Sequence, residues 1–203
     1  MKIYLVRHGE TVWNVENRIQ GHLDSPVTEV GIRQISALCQ NLADKSITSI
    51  IASPLGRSVA AAGQIASHLD CPLHFNPALV ERHFGDLEGK RISELTEKER
   101  AQAEAMLSGS LAIGPQNGEA LQDATQRVLG ALSGLSARQG NVCVVSHGHV
   151  IQSVINTLVG NNADHFERYA HLNGAYSILT CPEKGLTVEK WGISTHLFSR
   201  SRQ

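Results

Sequence analysis

The chain has 203 residues, with 18 Lys and Arg against 19 Asp and Glu, and 41% hydrophobic content. That size supports one domain with a substantial core, and a formal net charge of -1 gives no electrostatic footprint for nucleic acid or an anionic membrane. No apolar run is long enough to span a bilayer or to act as a signal peptide, so a cytoplasmic location is expected, and an anionic ligand would have to be drawn in by a local basic pocket. The four cysteines, Cys39, Cys71, Cys143 and Cys181, are widely spaced and read as reduced thiols.

In chain order, Ile3, Leu5 and Val6 form a short apolar strand that Gly9 ends directly after Arg7 and His8. Glu10 to Gly21 reads as loop with helical turns, in which Asn14 and Gln20 are polar groups able to reach a ligand and Trp13 is a packing residue. Thr28 caps a helix whose apolar face is Ile32, Ile35, Leu38, Cys39 and Leu42, and this helix crosses over to a second strand at 49–52. Ser53-Pro-Leu-Gly-Arg57 follows that strand and opens an alanine-rich helix over 57–69. Residues 71–75 read as a short edge strand, broken by Asn76-Pro77, and Glu81 precedes a glycine turn at Gly85. Residues 86–117 are a helical insert, polar over 91–107 except for Ile92, Leu95 and Met106. A solvated insert and a lid over a site are equally good readings of it. Residues 111–118 form a loop, and Glu119 opens a helix with the stripe Leu121, Ala124, Val128, Leu132 and Leu135. A central strand at 141–145 runs into Ser146-His147-Gly148-His149 and a last helix, whose free N–H groups are expected to face the ligand crevice. The tail is a hairpin, 176–180 and 186–191 around a turn at 182–185, with a loose terminus at 197–203.

Three strand ends thus carry Arg7, His8, Arg57, His147 and His149 to one crevice, joined by Glu81. In open parallel sheets the crevice beyond the carboxyl ends of the strands is the ligand site. A phosphate monoester suits this set. Guanidinium forks screen its charge, a neutral imidazole attacks phosphorus, and a carboxyl group protonates the leaving oxygen and then activates water. His8 and His147 are both placed to attack. A metal-dependent hydrolase is the rival suggested by ten histidines, but there is no His-Glu-x-x-His motif and no carboxylate-rich ligand set, so no metal site is assigned. A non-catalytic phosphate-binding protein is a second rival, although the nucleophile, arginines and acid are all present.

Leu5-Val-Arg-His-Gly-Glu-Thr11 with Asn14, Gln20-Gly21, Ser53-Pro-Leu-Gly-Arg57, Glu81 with Phe84-Gly85 and Glu88-Gly89, Gly118-Glu119 and Val145-Ser-His-Gly148 occur in fixed order over about three quarters of the chain. Together they resemble the histidine phosphatase superfamily, also called phosphoglycerate mutase-like proteins. The resemblance implies an α/β three-layer sandwich with a mostly parallel central sheet and helices on both faces. It makes His8 the phosphorylated nucleophile, Glu81 the proton donor, and Arg7, Arg57 and His147 the groups that hold the transferring phosphoryl. Asn14, Gln20, Gly21 and Gly148 are the expected substrate contacts, and no cofactor is called for. His149 and Ala61 depart from the family pattern; for His149, substrate contact and a solvent-facing position at the helix N-terminus are equally open. Cofactor-dependent mutases of this family usually carry a longer, proline-rich insert with paired arginines for a second acidic group, whereas here Arg91 and Arg100 stand apart. A phosphatase acting on a small phosphorylated metabolite is therefore favoured, with the mutase as alternative. A homodimer is the assembly considered.

Overall fold

A computed structural model describes residues 1–109, 114–160, 163–182 and 185–198. Parts of the loop expected at 111–118, of the turn expected at 182–185 and of the terminus expected at 197–203 lie outside the described residues. Six strands form one sheet: β1 (Lys2–Arg7), β2 (Ile47–Ala52), β3 (Leu73–Phe75), β4 (Asn141–Ser146), β5 (Tyr176–Thr180) and β6 (Thr187–Ile193), in the order β3-β2-β4-β1-β5-β6. The first four in that order are parallel; β5 and β6 are antiparallel additions, as expected for the C-terminal hairpin.

A short helix, α1 (Val12–Val15), follows β1, and both faces of the sheet are covered because the central strands are apolar on both sides. Successive strand residues alternate between the two faces. Ile3, Leu5, Ile51, Val142 and Val144 pack with Val128 and Leu132 of α5 (Leu121–Ser133) and with Val150, Ile151 and Val154 of α6 (Gly148–Leu158). Tyr4, Val6, Ile50, Cys143 and Val145 pack with Ile35, Leu38 and Leu42 of α2 (Glu29–Leu42) and with Ala61, Ala62 and Ile65 of α3 (Gly56–Leu69). The result is the three-layer α/β sandwich, mostly parallel, that the motifs imply.

The elements differ from expectation in a few places. Ile32 is 51% exposed rather than buried, and Gly31 takes its place on the inner face of α2. The reason is a close approach: a Cβ on Gly31 would lie 2.2 Å from the Glu10 carbonyl oxygen, so only glycine fits there. Helix α5 begins at Leu121, because Glu119 is bound instead to Arg127, and Leu135 falls in the 3₁₀ turn Gly134–Ala137 that follows. The insert holds α4 (Glu97–Leu107), which Thr96 and Glu99 start with a reciprocal capping box. Its inner residues Ala103 and Met106 join Phe84, Leu87 and Leu95 in a third, separate apolar cluster. The four cysteines are free. No described helix is long and apolar enough to cross a membrane.

Candidate active site

The loop after β1 is fixed by backbone contact. A Cβ on Gly9 would stand 2.5 Å from the Gly31 carbonyl, so the chain lies directly against the start of α2. Thr28 caps that helix through Gly31 N and also bonds Glu10, and His8 N donates to Ser146 O at 3.2 Å. His8 is thereby buried at 3% exposure. Its Nδ1 sits 2.7 Å from the Gly9 carbonyl, and since a carbonyl can only accept, Nδ1 carries the hydrogen. Nε2 is then the lone-pair nitrogen, and Arg57 Nε donates to it at 3.2 Å. Burial first, then the charges of Arg57 and Arg7, hold the His8 pKa well below its usual value, so the ring is neutral.

Arg57 and Arg7 are both anchored. Arg57 is 2% exposed and donates through Nη1 to Leu23 O and Asp24 Oδ1, and through Nη2 to Gly21 O. Arg7 Nη1 donates to the His171 carbonyl, while its Nε has no partner among the described residues. Gly148 leaves room for this guanidinium, for a Cβ there would lie 3.0 Å from Arg7 Nε.

Glu81 corrects the reading of α6. Two of the first N–H groups of that helix are taken up rather than left free for a ligand. His149 N and Val150 N donate to the two Glu81 carboxylate oxygens at 3.1 and 3.0 Å, and Arg82 N adds a third bond at 3.0 Å. A carboxylate at a helix N-terminus is electrostatically well placed, and this one locks the Glu81 loop to the helix that follows β4.

Arg7, His8, Arg57, Glu81, Gly148, Asn14, Gln20 and Gly21 all line one cavity of about 310 Å³. His147 does not. It is fully buried behind His8, with ring centroids 5.3 Å apart and Nε2 2.7 Å from Ser53 Oγ. Burial, with Arg57 next, lowers its pKa well below the usual value, so this imidazole is neutral rather than protonated. His149 faces the cavity wall rather than solvent, and its ring nitrogens have no partner among the described residues. Its ring lies 5.5 Å from both Phe84 and Phe166, and burial lowers its pKa to about 3. His83 packs edge-on against His22 at 4.7 Å and accepts from Gly85 N.

Away from the arginines the cavity wall mixes apolar side chains with Asn17, Gln152, His149 and His171. Trp13, expected only to pack, lines it with Ile19 and Phe84, and the insert supplies Ile92, Ala103, Met106 and Leu107. The insert thus combines features of both readings: four of its residues line the cavity, while Glu97, Lys98 and Arg100 on α4 are exposed. Sequence reasoning passed over Asp24, His22 and His171. Asp24 holds Arg57, His22 Nε2 bonds the Glu81 carbonyl at 2.8 Å, and His171 lines the cavity. None of the three sits in a motif by itself; the Asp24 position shows only once Arg57 is seen to lie across it.

A sequence model described as histidine phosphatase superfamily, branch 1, matches residues 3–194. The chain belongs to that superfamily. A relative in Yersinia pestis (strain Pestoides F), named "Probable phosphoglycerate mutase GpmB", is 37% identical over 205 residues, covering 97% of this chain and 95% of its own. Among solved structures, YhfR of Bacillus stearothermophilus superposes with a TM-score of 0.89 at 29% identity, covering 97% of this chain and 98% of its own. The alpha-ribazole phosphatase of Shigella flexneri gives a TM-score of 0.82 at 31% identity, covering 96% and 97%.

Proposed function

We propose that the protein is a phosphomonoesterase that hydrolyses a small phosphorylated metabolite through a phosphohistidine on His8. The observation that carries this reading is the neutral His8 ring, with its hydrogen on Nδ1 and its Nε2 lone pair held at the edge of the Arg57 guanidinium inside a cavity that also presents Arg7 and Glu81. In the first step Nε2 bonds to phosphorus as the ester P–O bond breaks, and Glu81 passes a proton to the departing oxygen. In the second, Glu81 takes a proton from water, the water oxygen bonds to phosphorus, and the P–N bond breaks to release inorganic phosphate and regenerate neutral His8. Arg7 and Arg57 carry the charge of the equatorial oxygens throughout. Asn14, Gln20, Gly21 and Gly148 shape the rest of the phosphate subsite.

The cavity wall favours hydrolysis over mutase chemistry. A mutase must grip a second acidic group. The one further arginine on the wall among the described residues, Arg18, donates to the Gly89 carbonyl, pairs with Glu16 and lies over the Trp13 ring at 5.6 Å. The rest of the wall combines apolar Ile19, Phe84, Ile92, Ala103, Met106 and Leu107 with the uncharged polar groups Asn17 and Gln152, which suits an uncharged leaving group. The name of the Yersinia relative supports the mutase alternative. Release of inorganic phosphate from a panel of phosphate esters, with a chelator present, beside a 3-phosphoglycerate to 2-phosphoglycerate conversion assay, separates the two. Phosphate release without isomerisation is the expected result; efficient isomerisation would establish the mutase instead.

A further inference from the structure

We propose that Asp24 is a positioning residue that sets the Arg57 guanidinium for oxyanion binding. Its carboxylate occupies a junction. Oδ2 accepts from Gly56 N at 2.6 Å, and Oδ1 accepts from Arg57 Nη1 at 2.8 Å and from Arg57 N at 3.4 Å. One side chain therefore serves the first backbone N–H groups of α3 and the tip of the arginine that this helix carries. The Leu23 and Gly21 carbonyls bind the outer edge of the same guanidinium at 2.8 and 2.7 Å. What stays available is the opposite edge: the Nε hydrogen aimed at His8 Nε2, and one Nη2 hydrogen with no partner among the described residues.

The charges are unequally placed. The Arg57 side chain is 1% exposed and that of Asp24 is 39% exposed. A buried guanidinium needs counter-charge; Glu81 supplies part of it from within the cavity, and Asp24, the carboxylate hydrogen-bonded to it, supplies more from the solvent side, where it does not compete with an anion in the cavity. Gly21, Leu23 and Asp24 form one continuous stretch, so the loop that contributes Gly21 to the cavity wall also fixes the arginine. The cavity can in this way hold its phosphate-binding edge assembled before substrate arrives, which lowers the cost of binding.

This inference rests on the cavity being a phosphate site, and the test reads anion binding separately from turnover. Orthovanadate affinity would be measured by calorimetry, and kcat/KM with an aryl phosphate, for Asp24→Asn and Asp24→Ser alone and in an Arg57→Ala background. Serine keeps an acceptor for the α3 N-terminus but cannot reach the guanidinium, so it separates helix capping from arginine placement. In the native background both variants are expected to weaken vanadate binding by roughly 10- to 100-fold, the range for loss of a charged hydrogen bond. In the Arg57→Ala background neither should change it further, since Asp24 acts only through Arg57. Unchanged vanadate affinity in the single variants, or an equal loss with and without Arg57, would overturn the proposal. Vanadate binding without turnover would refute the phosphatase reading and leave the Asp24 result standing.

Discussion

His149 makes a quantitative test of what burial does to a polar side chain in this fold. Neither ring nitrogen has a partner among the described residues, and its pKa of about 3 follows from burial, with the Arg82 charge adding to it. In the unfolded chain the same ring titrates near 6.5. Between those values the unfolded state binds a proton that the folded state refuses, so stability is fully present above about pH 6.5 and falls as the pH drops towards 3. At pH 5 this histidine alone costs about 2 kcal/mol relative to pH 7, from the 1.36 kcal/mol per unit that links proton uptake to folding. His149→Leu keeps bulk between Phe84 and Phe166 without the nitrogens. The offset between variant and native protein at pH 7 mixes lost ring contacts with the removal of unpaired polar atoms. The change in that offset with pH does not, because packing does not titrate. Urea unfolding at pH 7 and pH 5 should show the variant gaining about 2 kcal/mol on the native protein. An offset that is the same at both pH values would refute the reasoning.

The remaining predictions concern the reacting groups and their frame. His8→Ala should abolish turnover, and Glu81→Gln should slow esters with poor leaving groups far more than aryl esters; equal losses across a leaving-group series would remove Glu81 from the acid role. Nitrogen-15 spectra of histidine-labelled protein at pH 6 should find His8 neutral with its hydrogen on Nδ1, and an imidazolium at that pH would contradict the burial and arginine arguments. Gly31→Ala should destabilise the fold by roughly 3 kcal/mol or more, because the added methyl meets the Glu10 backbone oxygen rather than a movable side chain. A melting temperature within a degree or two of the native protein would show that the loop can yield.

The sheet was legible because its strands end abruptly. Arg7-His8-Gly9, Ser53 to Arg57 and Ser146 to Gly148 each break an apolar run at the same edge, and local chemistry alone marks those points. The hairpin and the Thr28 cap were readable for the same reason. Ile32 misled because helical periodicity cannot say that a glycine one position earlier will lie against a carbonyl twenty-one residues back. The α6 N–H groups misled because Glu81, which takes them, is 68 residues away from His149 in sequence. His147 has the right neighbours in sequence, yet its side chain lies behind His8, a depth that no motif encodes. Asp24 was invisible in the same sense, since its importance depends on where Arg57 lies across the fold.

The third apolar cluster shares no residue with the two that flank the sheet. On the proposed function, chemistry and recognition are therefore carried by different apolar units of the chain, tied together by backbone bonds such as Ile19 N to Lys90 O and by the Arg82 bond to the Met106 carbonyl. Changes confined to the exposed wall residues of the insert can alter which alcohol is accepted while the phosphate end and the two main cores keep their contacts. A library varying the exposed Ile92 and Leu107 would thus sample new substrates at little risk to folding, whereas Ala103 and Met106 belong to the buried core of the third cluster and are best left in place.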